Sequence, residues 1–128
     1  MRLLLDTHLW LWALAAPERL SKAAVAAIND EGNQLLFSAA SLWEVAIKAS
    51  HGRKDFVVDV IDLHRQLLAN GYIEVPVLSV HSFAVVHLPH LHKDPFDRLL
   101  LAQAMREDLT LLTADELLAT YPGPILKV

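Results

Sequence analysis

Short apolar runs alternate with longer stretches in which apolar positions recur every three or four residues, and the two patterns take turns along the whole chain. The first run, "RLLL" at 2–5, is too short and too uniformly apolar for an amphipathic helix and predicts a buried strand. Thr7 can cap a helix over about 8–15, which Pro17 stops. Ser21 opens a second helical stretch, "SKAAVAAINDEG", with Gly32 as its stop. "QLLFS" predicts a second strand. In the helix expected for "SLWEVAIKASHG", Ser41 and Glu44 have the spacing of a capping box and Gly52 ends the run.

"VVDVIDLHRQLLANG" is amphipathic at helical spacing with Asn70-Gly71 as its cap, and "YIEVPVL" predicts the third strand. A short helix from Ser79 to about Val86 follows, then a His-rich polar loop. In "KDPFDRLLLAQAMRED", Asp94 is the expected N-cap, Pro95 enters the first turn and Asp97 takes the third position. "LTLLT" is strand four, a turn or short helix covers 115–120, and "PILKV" offers a fifth strand. Five short strands separated by helices predict an α/β domain: a mostly parallel five-stranded sheet covered on both faces.

Composition narrows the picture. The 128 residues suit one domain, 1–128, and 54% hydrophobic against 20% charged residues describes a folded one. No apolar run approaches a membrane span and the start lacks the features of a signal peptide, so a soluble, cytoplasmic protein is expected. Without cysteine, disulfides, thiolate catalysis and Cys-based zinc sites are excluded. A formal charge of −4 argues against broad electrostatic DNA binding. The Leu-rich helices, with Trp10, Trp12 and Trp43, leave material for an apolar interface.

Candidate chemistry comes from four acids at comparable places: Asp6 after strand one, Glu44 in the helix after strand two, Asp97 in the first turn of a long helix, and Asp115 just past strand four. The carboxyl ends of parallel strands share one rim, so these side chains can converge. Converging carboxylates repel, and a hard divalent cation relieves the repulsion. Oxygen donors without cysteine or an organised histidine set suit Mg²⁺ or Mn²⁺, one ion or two, and such ions activate water against phosphodiesters. Each acid also has a purely local role open to it: Asp6 in a turn, Glu44 as partner of Ser41, Asp115 as a cap. Asp94 and Asp97 compete, and Asp94 has the stronger structural reason to be where it is.

Thr7 and Thr113 flank the rim as caps or as hydrogen-bond donors to ligand carboxylates. Arg98 and Lys48 are possible phosphate contacts, although Lys48 also has the i,i+4 spacing to pair with Glu44. His87, His90 and His92 lack a recognised ligand arrangement and read as surface polar groups, and His8 reads as a helix-face residue. Trp10 and Trp12, two apart, cannot share a helix face, so one packs inward; Trp43 and Phe96 read as packing residues before base-stacking ones. No Gly-rich phosphate loop is present.

"LLLDTH", "SLWEVAIK", "DPFDRLLLAQA" and "LLTAD", in that order, resemble the PIN domain family, and more narrowly its VapC-type toxin ribonucleases. The resemblance implies a three-layer α/β/α sandwich and a Mg²⁺- or Mn²⁺-dependent endoribonuclease that leaves 5′-phosphate and 3′-hydroxyl ends. It also implies a homodimer inhibited by a cognate antitoxin protein. Asp6, Glu44 and Asp97 would form the central triad, with Asp115 as fourth contributor. A PIN-like interaction module that no longer cuts and a receiver-like domain phosphorylated on Asp6 are the competing readings.

Overall fold

The computed structural model describes residues 1–51 and 58–128. The predicted stop at Gly52 and the start of the next apolar stretch at Val57 lie outside the described residues. Strands β1 (Arg2–Leu5), β2 (Gln34–Ser38), β3 (Ile73–Val75), β4 (Thr110–Thr113) and β5 (Ile125–Lys127) form one sheet in the order β3-β2-β1-β4-β5. Every pairing is parallel. The chain builds outward from β1 through β2 to β3, then returns to the other side of β1 for β4 and β5. The strand order therefore reverses beside β1, where open parallel sheets leave a crevice at their carboxyl ends.

Six α-helices are found among the described residues: α1 (Thr7–Ala15), α2 (Lys22–Asn29), α3 (Ala39–Ser50), α4 (Val60–Ala69), α5 (Ser79–Val85) and α6 (Pro95–Arg106). Side chains alternate across the pleat, and both faces are apolar. Leu3, Leu5, Phe37 and Leu112 pack with Leu9 and Trp10 of α1, Ala24 of α2, Val45 of α3, and Leu63 and Leu67 of α4. Leu4, Leu36 and Leu111 point the other way, into Leu100, Leu101 and Ala104 of α6. This is the expected three-layer sandwich. Its central leucines are fully buried, so truncating Leu4 or Leu111 to alanine costs about 2–5 kcal/mol.

Several element boundaries differ from the sequence expectation. Asp6, not Thr7, caps α1, accepting from the Leu9 N–H, and Thr7 is the first helical residue. Helix α3 begins at Ala39, directly after β2, capped by Ser38, so Ser41 and Glu44 lie inside the helix and form no capping box. Helix α2 stops at Asn29, and Gly32 belongs to the turn beyond, where its N–H donates to Asp30 Oδ1. Strand β3 is short because Pro76 brings no N–H to the ladder. Asp94 caps α6 through Phe96 and Asp97 N–H groups with Pro95 in the first turn, and Gly71 takes a φ of 83° after α4, both as expected.

Candidate functional site

The β1–β4 register sets Leu5 beside Leu112, and the ladder continues for one step past β1 through Asp6 N–H to Leu112 O at 3.0 Å. Asp6 is thereby set next to Thr113, whose hydroxyl donates to Asp6 Oδ2 at 2.5 Å. The other oxygen, Oδ1, accepts from Leu9 N–H at 3.0 Å. The carboxyl group is 4% exposed. Burial pushes its pKa up, Thr113 and Leu9 pull it partly back, and the charge of Glu44 pushes it up again.

Because α3 starts without a loop, Glu44 sits one and a half turns into the helix and faces the protein, 2% exposed. Thr7 Oγ1 donates to Glu44 Oε1 at 2.6 Å and is 2.8 Å from Ser41 Oγ. Lys48, half exposed, donates to Glu44 Oε2 at 2.7 Å, so the i,i+4 pair is formed. Burial would lower the Lys48 pKa, but the hydrogen bond to Glu44 and the charges of Glu44, Asp94 and Asp97 lift it above its ordinary value.

Asp97 projects from the first turn of α6 with a side chain 15% exposed. Burial and the charges of Asp94, Asp6 and Glu44 push its pKa from 3.8 up to about 7. Asp97 thus feels three other carboxylates at once, which brings α6 into the same charged rim as β1 and α3. Asp115, the most open of the four at 38%, has its N–H on Thr113 Oγ1 at 3.0 Å and its Oδ1 on the Leu118 N–H at 2.9 Å. Burial raises its pKa, but hydrogen bonds from Leu118 and His92 outweigh that and set it below the usual value.

Hydrogen bonds therefore run from Lys48 through Glu44 to Thr7, and from the adjoining Asp6 through Thr113 to Asp115. The structure brings Asp6, Glu44, Asp97 and Asp115 to one end of the sheet with both threonines bonded to the acids or their backbone. Asp94 stands beside Asp97 as helix cap, its Oδ1 accepting from Phe96 and Asp97 N–H groups.

Arg98 is elsewhere. It is 7% exposed, and its guanidinium donates to Pro89 O, Val85 O and Tyr121 Oη, so the expected phosphate contact is replaced by an internal brace of the 85–93 loop. One helical residue past Asp97 is about 100° around the axis, enough to turn a neighbour inward. His92 is the residue the sequence reading passed over: its Nε2 is 3.2 Å from Asp97 Oδ2 and 3.1 Å from Asp115 Oδ2. Trp10 is buried, whereas Trp43 is 65% exposed and stacks edge-on against Phe96, ring centres 5.4 Å apart. Trp43 is thus a surface residue, not core packing.

The donor set fits a divalent cation. Four carboxylates share charge-coupled surroundings; burial and their mutual repulsion push the Asp97 pKa up to about 7, and an ion at that point would offset both. Histidine and two of the acids, His92, Asp97 and Asp115, present atoms all within 4.8 Å of one another.

The chain is similar to known proteins in sequence and in fold. Ribonuclease VapC22 of Mycobacterium tuberculosis (strain ATCC 25618 / H37Rv) is 33% identical over 121 residues, covering 94% of this chain and 92% of that protein. In fold, the chain is similar to the VapBC2 complex of Rickettsia felis bound to a promoter DNA fragment, with a TM-score of 0.73 at 17% identity, covering 99% of this chain and 98% of that one. It is also similar to a toxin–antitoxin complex from Klebsiella pneumoniae, at TM-score 0.66 and 19% identity over 97% of this chain and 95% of that one. The PIN domain model matches residues 3–124, from the first strand to the residue before the last strand, and the chain belongs to the PIN domain family.

Proposed function

We propose that this chain, as one nuclease domain over 1–128, is a cytoplasmic endoribonuclease that hydrolyses RNA phosphodiester bonds using Mg²⁺ or Mn²⁺, and that it is the toxin of a toxin–antitoxin pair. The observation that carries the reading is the meeting of Asp6, Glu44, Asp97 and Asp115 at one end of the sheet, where burial and then the charges of Asp94, Asp6 and Glu44 push the Asp97 pKa up to about 7. Such a cluster stays fully ionised at neutral pH only with a cation in it. A 33% identical relative named as a ribonuclease supports the choice of RNA as substrate.

Asp6, Glu44, Asp97 and Asp115 would hold the cation. When bound, it would supply Lewis-acid stabilisation of the charge that builds on the phosphoryl oxygens and lower the pKa of an attacking water. Thr113 and Thr7 fix the rotamers of Asp6 and Glu44, so the ligand oxygens are set before an ion arrives. Lys48, half exposed on the rim and kept charged by Glu44, is positioned to meet a substrate phosphate. Since no 2′-hydroxyl chemistry is required, preference for RNA over DNA rests on groove shape and contacts.

The PIN domain match over residues 3–124 speaks against the receiver-like alternative, phosphorylation of Asp6. The proposed antitoxin would dock an apolar helix in the groove of about 430 Å³ lined by Leu42, Trp43, Ala46, Val60 and Ile61, next to Glu44, with a basic residue reaching the acids. The proposed homodimer would use the exposed Val80, Phe83 and Val86 of α5 and the residue after it.

The deciding experiment maps cleavage sites in total RNA with wild-type protein and with Asp6→Asn, with added Mn²⁺ and with chelator. Cutting that requires both the ion and Asp6 is expected. Equal cutting by Asp6→Asn removes the reading, and Mn²⁺ binding without any cutting replaces it with a PIN-like interaction module.

A further inference from the structure

His92 is fixed from both ends. Its backbone N–H and that of Leu91 donate to Tyr121 Oη, at 2.9 and 3.2 Å, and Arg98 Nη1 donates to the same oxygen at 2.9 Å. Arg98 belongs to α6, the helix that carries Asp97, and it also binds the carbonyls of Val85 and Pro89. The loop bearing His92 is therefore braced by the same helix that presents the acid facing it.

The imidazole itself is more tightly specified. Nδ1 lies 3.0 Å from the backbone N–H of Asp94, a group that can only donate. A nitrogen that accepts there carries no proton, so the proton of the neutral ring is on Nε2. That atom stands between Asp115 Oδ2 at 3.1 Å and Asp97 Oδ2 at 3.2 Å. For Nε2 to bind a metal, the proton would have to move to Nδ1 and confront the Asp94 N–H, donor against donor.

We propose that His92 is a positioning residue: its Nε2–H, bonded to Asp115 Oδ2 and 3.2 Å from Asp97 Oδ2, holds Asp115 toward Asp97, and the nitrogen is not itself a metal ligand. The inference deepens the metal-centre reading above and rests on it. Its consequence is an all-oxygen site that favours Mg²⁺ and Mn²⁺ and offers Zn²⁺ no nitrogen, although a histidine is in reach. The Arg98–Tyr121 brace then acts on the site through His92, which gives the buried arginine a role without substrate contact.

The test is a Mn²⁺ titration of wild type, His92→Ala and His92→Gln, alongside ¹⁵N ring spectra of His92 in the wild-type protein with and without metal. The Nε2–H tautomer is expected in both spectra when the diamagnetic Mg²⁺ is used as the ion. His92→Ala should weaken Mn²⁺ binding about tenfold or more. His92→Gln, which keeps an N–H donor, should recover much of that, with circular dichroism unchanged. Wild-type affinity in His92→Ala, an Nδ1–H tautomer, or a metal-shifted Nε2 resonance on Zn²⁺ addition overturns the proposal while leaving the carboxylate site intact. Wild-type protein that binds no Mn²⁺ at all overturns both readings together.

Discussion

Asp6 and Glu44 are almost withdrawn from solvent, and each is gripped by a threonine hydroxyl from the opposite element, whereas Asp97 and Asp115 are more open and lie on either side of His92 Nε2, which bonds Asp115. The buried half is therefore part of the fold, since its hydrogen bonds join β1 to β4 and α1 to α3. The open half hangs on a helix cap and on the loop that Arg98 and Tyr121 brace, so local hydrogen bonds and not the sheet set its geometry. One half is built into the sheet and the other stands at its open edge, a division that leaves a cation a way in to pre-set donors.

The strongest way to break this comparison is to remove one charge from each half. Asp6→Asn and Asp97→Asn should each lower RNA cleavage by about 10²–10³-fold at saturating Mn²⁺. A variant that retains near wild-type rates would show that its half of the rim does not take part. Stability should separate the halves more sharply. Thr113→Val leaves Asp6 Oδ2 and the Asp115 N–H without their partner and should cost about 1–3 kcal/mol in urea unfolding. Asp115→Asn, in the open half, keeps an oxygen for the Leu118 N–H and should cost no more than about 0.5 kcal/mol.

A pH experiment probes the open half directly. Asp97 titrates near 7 when folded against 3.8 as an ordinary aspartate, so between about pH 4 and pH 7 the folded state binds a proton that the unfolded state has released. Its contribution is fully present below about pH 4 and is lost as pH rises through about 7. Buried Asp6 adds in the same direction, whereas Asp115, with its pKa lowered, contributes above about pH 4 and loses that contribution in more acid solution. Metal-free protein should therefore melt a few degrees lower at pH 8 than at pH 5, and Mn²⁺ at pH 8 should restore the difference. In Asp97→Asn most of that slope should vanish. A smaller effect is expected for Lys48→Met, which takes a half-exposed partner from buried Glu44 and should cost about 1 kcal/mol, so a loss of cleavage larger than that would mark it as a substrate contact.

The sheet was legible because four-residue leucine runs allow little else, and the acids because each stands just beyond such a run or in a helix's first turns. Start points were harder. Asp6 and Thr7 are both good caps, and the choice depends on Asp6 continuing the ladder to Leu112, a contact with a strand more than a hundred residues away. Ser41 and Glu44 have capping-box spacing, yet β2 runs straight into α3 and Ser38 takes the cap first. Glu44 is thereby left to the rim, where Thr7 and Lys48 hold it. Arg98 beside Asp97 suggested phosphate, but helical geometry turned it toward loop carbonyls whose positions no local pattern reveals. His92 sat in a polar loop with two other histidines, and only the path of that loop past Asp115 distinguishes it. No signal in the sequence separates it from His87 or His90.

The placement of β4 between β1 and β5 has a temporal consequence. Asp6 is among the first residues to be synthesised, but the hydroxyl that orients it belongs to Thr113, and Asp115 comes later still. A growing chain that has reached α5 already carries Asp6 and Glu44 yet lacks both partners from the far side of the sheet. Any catalysis that needs this rim therefore begins only when translation of this chain is nearly finished.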